Sequence, residues 1–185
     1  MATYAECTRA VYLMRDTIMK KHHRHLIEAG VTVKMLFVHA PIDEKTGEPK
    51  GPALKNKGYP AAGLAEINSH KARMKGCDDA TIYLDGDTWS DWTEARQLAL
   101  IDHELTHFQV DLDAEEGVKL DAGNRPKLTM RLHDWEIGGF QDVSDRHGAA
   151  ALDVETARAA VARHRRVFLD RVDHLDHPRL AAVAE

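Results

Sequence analysis

The run Asp102-His103-Glu104-Leu105-Thr106-His107 places two imidazoles four positions apart, with a carboxylate beside the first. A helix turns about 100° per residue, so positions four apart share a face. On a helix, His103 and His107 therefore aim at one cation, and Glu104 reaches a water held there. Imidazole nitrogen suits zinc, and a zinc site that does chemistry keeps one coordination position open. Water on such an ion ionises near pH ~7. Glu104 is placed to take its proton and pass it to a departing amine. The predicted chemistry is metal-assisted hydrolysis of a peptide bond. With 12 histidines in the chain, an HExxH can arise by accident, so its surroundings must decide.

A third ligand is needed. The pattern HExxHxxGxxH is not met, because Val110 and Asp113 stand where it needs Gly and His. Asp113 remains an alternative ligand. The stronger cluster is His133-Asp134-Trp135-Glu136, followed by Phe140. His133 at the entry of a following helix is the preferred donor, Glu136 is the other choice, and Asp134 suits an outer partner that orients an imidazole.

The elements that must position these residues can be read from spacing. Residues 8–29 read as a helix, with Val11, Met14, Ile18, Leu26 and Ile27 near one face and Gly30 as its stop. Residues 31–40 read as a strand, 41–60 as a Pro-, Gly- and Lys-rich loop, and 63–75 as holding a second strand. ATIYLD, 80–85, is a third strand. Asp91 with Glu94 resembles a capping box that opens a helix over about 92–110, with Trp92, Ala95, Leu98, Ala99, Leu105 and Phe108 as its apolar side. An acidic loop or hairpin over 111–126, a short strand at 127–132, and helices at about 134–147 and 152–172 follow. The reading is an α+β fold: an N-terminal helix, a three- to four-stranded sheet, the HExxH helix and C-terminal helices. Residues 1–172 form one domain in this reading, and 173–185 a frayed tail.

Composition fits one globular domain of 185 residues, 43% apolar and 30% charged. Cys7 and Cys77 lie far apart and exclude a disulfide framework. No apolar run approaches the roughly 20 residues that cross a bilayer. The opening MATYAECTRAVYLMRD lacks an apolar leader core, so a cytoplasmic protein is expected. The net charge of −5 is unevenly spread: residues 1–75 carry a balance of +6, 76–116 one of −11, and 117–185 none. An acidic middle attracts cations and repels phosphate, so any nucleic-acid contact belongs to the first third.

Several of these runs together resemble the phage metallopeptidase family. They are Gly58-Tyr59-Pro60-Ala61, Lys71 to Gly76, Asp79 to Asp85, Trp89, Ala99 to His107, His133 to Glu136 with Phe140, and Arg146-His147-Gly148. The resemblance covers roughly residues 30–148 and extends in pattern to small SprT-like and minigluzincin peptidases. It implies a zincin-like fold, zinc, and hydrolysis of protein or peptide substrates in a phage or prophage setting. It also implies that His133, the helix-starting His of those relatives, completes the ligand set with His103 and His107. A DNA-linked protease is a variant of this reading. Peptide deformylase, another HExxH enzyme, fits less well, since its cysteine motif has no counterpart and Cys77 sits in GCDDA. The non-enzymatic alternative is a zinc-stabilised module that binds nucleic acid or a partner protein.

Other groups have bland readings beside functional ones. ATIYLD is either an edge strand for substrate backbone or a plain core strand. Tyr83 is either an oxyanion donor or a packed ring. His22, His23 and His25 read as a solvated helix face. Lys71, Arg73 and Lys75 alternate and so share a face if extended, which suits phosphate or solvent. Arg158, Arg163, Arg165, Arg166 and Arg171 read as an exposed helix face, and His174 and His177 as uninvolved.

Overall fold

The computed structural model describes residues 1–133, 157–159 and 161–162. The predicted helix at 134–147 lies outside these residues. The few described positions within the predicted 152–172 helix are helical. Contacts divide the chain after Leu132, and the first unit holds every element named below.

The order is β1 (Thr3–Glu6), α1 (Arg9–His22), α2 (Arg24–Glu28), β2 (Val33–His39), β3 (Lys55–Asn56), β4 (Tyr59–Pro60), β5 (Gly63–Ile67), α3 (His70–Met74), β6 (Ala80–Asp85), a 3-10 turn (Trp89–Asp91), α4 (Glu94–Thr106), β7 (Phe108–Val110) and β8 (Leu128–Met130). The fold is α+β. Four strands form the main sheet in the order β1-β2-β6-β5, with β2 and β6 parallel and both outer pairings antiparallel. β3 and β4 pair with each other, as do β7 and β8. Among the described residues, no helix is long and apolar enough to cross a membrane.

Alternation along the strands sends Val33 and Met35 of β2 and Ile82 and Leu84 of β6 to one face. There they meet Val11, Ile18 and Leu26 of α1 and α2, Ile101 and Leu105 of α4, and Phe108 of β7 in one core. The buried apolar residues of α4 are Ile101 and Leu105, whereas Ala95 and Ala99 are exposed.

Four sequence expectations are corrected, and one open alternative, the edge or core placement of ATIYLD, is decided for the core. The helix over 8–29 breaks at His23, whose backbone leaves the helical region (φ −124°, ψ 43°) as its ring turns inward to Asp102. Residues 63–75 hold a strand only to Ile67. Ser69 then caps α3 by accepting from the Ala72 N–H, so Lys71, Arg73 and Lys75 share no strand face. The cap of α4 is Thr93, which accepts from Arg96 N–H, not Asp91, which belongs to the 3-10 turn. That helix stops at Thr106, because β7 pairs with β8 from Phe108 onward. β6 is an interior strand, flanked by β2 and β5, and so has no free edge.

Two arginines fasten the acidic hairpin over 111–127 to the sheet. The Asp79 carboxylate, 1% exposed, accepts from Thr32 N–H and Oγ1–H through Oδ2, while Arg125 Nε lies 2.9 Å from its Oδ1. Arg73 Nη2 lies 2.8 Å from Asp121 Oδ2, and Arg125 Nη1 donates to the Cys77 carbonyl at 2.7 Å. Breaking one partner of such a buried pair costs more than the pair contributes, because a charge is left uncompensated. The Arg125 backbone N–H holds the Asp121 carboxyl down at about 2, helped by His70, the Gly123 N–H and Arg73.

Two measurements follow. Phe108→Ala empties a core position that is 1% exposed and lowers unfolding free energy by about 3–5 kcal/mol in urea titrations. Asp121 has a folded pKa below its unfolded one. Its stabilisation is therefore complete above about pH 4 and is lost as pH falls toward 2. Stability curves of wild type and Asp121→Asn should converge over that window, and parallel curves would exclude this role.

Candidate metal centre

α4 ends at the motif. His103 and Glu104 lie in its last turn, and His107 is the C-cap, its N–H donating to Glu104 and Leu105 carbonyls. The two imidazoles sit one turn apart with ring centroids 5.1 Å from each other. Immediately after, the chain enters β7, and β8 returns antiparallel with Phe108 opposite Met130. The pairing extends one step further: the Arg131 N–H donates to the His107 carbonyl at 2.8 Å. The Arg131 carbonyl in turn accepts from His107 Nδ1 at 2.8 Å. A carbonyl only accepts, so Nδ1 carries the proton and Nε2 is the nitrogen able to ligate.

His133 follows two residues beyond Arg131, so chain continuity sets its place. His103, His107 and His133 each offer a ligand atom, and these atoms all lie within 4.8 Å of one another. Among the described residues this is the one such group of three. Three imidazoles form a donor set of the kind that holds a divalent metal ion such as zinc. Asp113 is not part of the group. Its Oδ1 accepts from the N–H groups of Glu115 and Gly117 and shapes their turn. Glu136, Asp134 and Phe140 lie outside the described residues.

Glu104 points inward from the same turn and is 4% exposed. Burial pushes its carboxyl up to about 7, against the pull of an N–H from Ala65 on β5. The register explains why that N–H is available. Asp85 N–H donates to Ala62 and Asn68 N–H to Asp79, so even-numbered residues bond to β6. Antiparallel alternation then turns the backbone of Gly63, Ala65 and Ile67 outward, along the edge that no strand pairs among the described residues.

The remaining motif residues have other uses. Tyr83 donates to Glu66 Oε2 at 2.8 Å and sits edge-on to Tyr4, so it is a packed ring. Burial and Glu66 raise its hydroxyl to about 12. Of the three clustered histidines, His22 and His25 are exposed, but His23 is 5% exposed with Nε2 2.6 Å from Asp102 Oδ1. Asp102 directly precedes His103, so this bond ties the α1–α2 break to the HExxH turn. Sequence reasoning missed it, as it missed Ala65 and the Arg131 carbonyl. An imidazole buried within a polar run has no periodic signal, and backbone groups have none at all. Arg158 is exposed, and Arg163, Arg165, Arg166, Arg171, His174 and His177 lie outside the described residues.

Neither the curated proteins nor the solved structures give a match to this chain. A family model does match, over residues 3–163. That span covers the strands, the HExxH helix and His133, and the chain belongs to the family described as putative phage metallopeptidase.

Proposed function

We propose that this chain is a zinc-dependent peptidase, with His103, His107 and His133 as ligands and Glu104 as general base and then general acid. The observation that carries the reading is the set of three imidazoles converging beside a buried carboxylate. A divalent ion held there supplies Lewis acidity to a water and to the scissile carbonyl. The protein does the rest. Arg131 fixes the His107 tautomer. Glu104 takes a proton from the attacking water on one Oε and delivers it to the departing amine. A carboxyl near 7 suits both duties close to neutral pH. Extended substrate backbone fits along the open edge of β5, the role that β6 cannot fill.

The family match crosses Leu132, which supports treating 1–172 as one peptidase domain. The phage setting of the family supports action on protein or peptide substrates in the cytoplasm of a bacterial host.

Metal analysis is the first test. Protein purified with zinc should hold about one ion per chain. His103→Ala and His133→Ala should each lose it on dialysis. Stoichiometric zinc retained by both variants would remove the assignment. Glu104→Gln should keep the metal yet lower cleavage of labelled casein by about 10²–10⁴-fold. Undiminished cleavage by Glu104→Gln would instead leave the ion a structural role, as in a binding module.

A further inference from the structure

Gly63 begins β5, on the open side of the sheet where α4 lays Glu104. An ideal Cβ built on Gly63 falls 2.7 Å from Glu104 Oε1, 3.0 Å from its Cδ and 3.1 Å from its Cγ. Real Cβ atoms essentially never come as near as 2.7 Å, and 3.0 and 3.1 Å are tighter than nine in ten of their contacts. The three atoms run back along the glutamate, so swinging the carboxyl end alone does not clear a methyl group. Gly63 is also not among the glycines with positive φ, so backbone conformation does not call for glycine there. Space does. Ala65, two residues on, shares the outward edge and directs its N–H at the same carboxylate. Gly63 therefore supplies room, and Ala65 supplies an N–H whose pull lowers the carboxyl's pKa against burial.

We propose that Gly63 is a positioning residue for Glu104: its missing side chain seats the carboxylate against the open edge of β5. This rests on Glu104 being the general base and acid. A side chain at 63 drives the carboxylate off the Ala65 N–H and away from the water it must deprotonate. The ligands are untouched, because His103 leaves α4 at a different angle and His107 is held by Arg131.

A thermal double-mutant cycle on the metal-free full chain tests the contact. Gly63→Ala should lower Tm by at least about 4 °C while Glu104 is present, as overpacking does. In the Glu104→Ala background the same change should cost less than about 1 °C, because the methyl group enters vacated space. Equal losses in both backgrounds overturn the proposal. If Gly63→Ala does not fold, a folded Gly63→Ala/Glu104→Ala protein supports it and an unfolded one overturns it. In zinc-loaded protein, Gly63→Ala should keep its metal and its KM for labelled casein while kcat falls about 100-fold. Wild-type kcat in Gly63→Ala, beside an inactive Glu104→Gln, overturns the positioning role and leaves the peptidase reading intact. Wild-type kcat in Glu104→Gln removes the peptidase reading itself.

Discussion

The three-residue ladder between β7 and β8 is the constraint on which the candidate metal centre depends. The HExxH turn delivers two imidazoles, but a third must return from a distant stretch of chain. The ladder ends with a pair of 2.8 Å bonds between His107 and Arg131, one through the backbone and one through the ring. The first sets where the returning strand passes, and the second sets which nitrogen of His107 faces outward. His133 is then two residues away from a fixed point. The intervening residues are themselves closed by bridges between Leu112 and Val118 and between Leu120 and Pro126. Such short internal closures lower the entropic cost of a long excursion.

Glu104 is the local rule that the fold breaks. Ile101, Glu104, Leu105 and Phe108 follow the i, i+3, i+4, i+7 spacing of an apolar stripe, and all four are buried. An aliphatic residue at 104 would complete the core. A carboxylate there loses solvation, which is why its pKa rises, and it has the β5 edge as its polar relief. Departures of this kind cluster where chemistry is done.

Much of this was legible because it rests on periodicity. The strand at 80–85 and the helix bearing the motif both come from spacing that side chains must obey. What escaped rests on partners instead. β1 is exposed along its whole length and exists through pairing with β2, so its own sequence carries no buried alternation. The Lys71-Ala72-Arg73-Met74-Lys75 run alternates like a strand, yet Ser69 caps a helical turn there and Arg73 turns inward to Asp79 and Asp121. The position of β6 inside the sheet could not be read locally, because strand order is decided by what pairs on either side.

The acidic middle of the chain shows why charge alone misleads about metal. Its surplus of carboxylates suggests a cation reservoir, yet most of them are engaged locally. Asp85 accepts from the N–H groups of Asp87 and Thr88, Asp87 from Ala40, and Asp113 from Glu115 and Gly117. Asp79 holds Thr32 and faces Arg125, and Asp102 bonds His23. These groups neutralise turn donors and arginines, so a cation would have to displace existing bonds before gaining new ones. At His107 the bond from Nδ1 to the Arg131 carbonyl leaves Nε2 as the nitrogen able to ligate. The balance of −11 over 76–116 thus serves folding, and among the described residues the group able to hold a metal ion is made of three histidines instead.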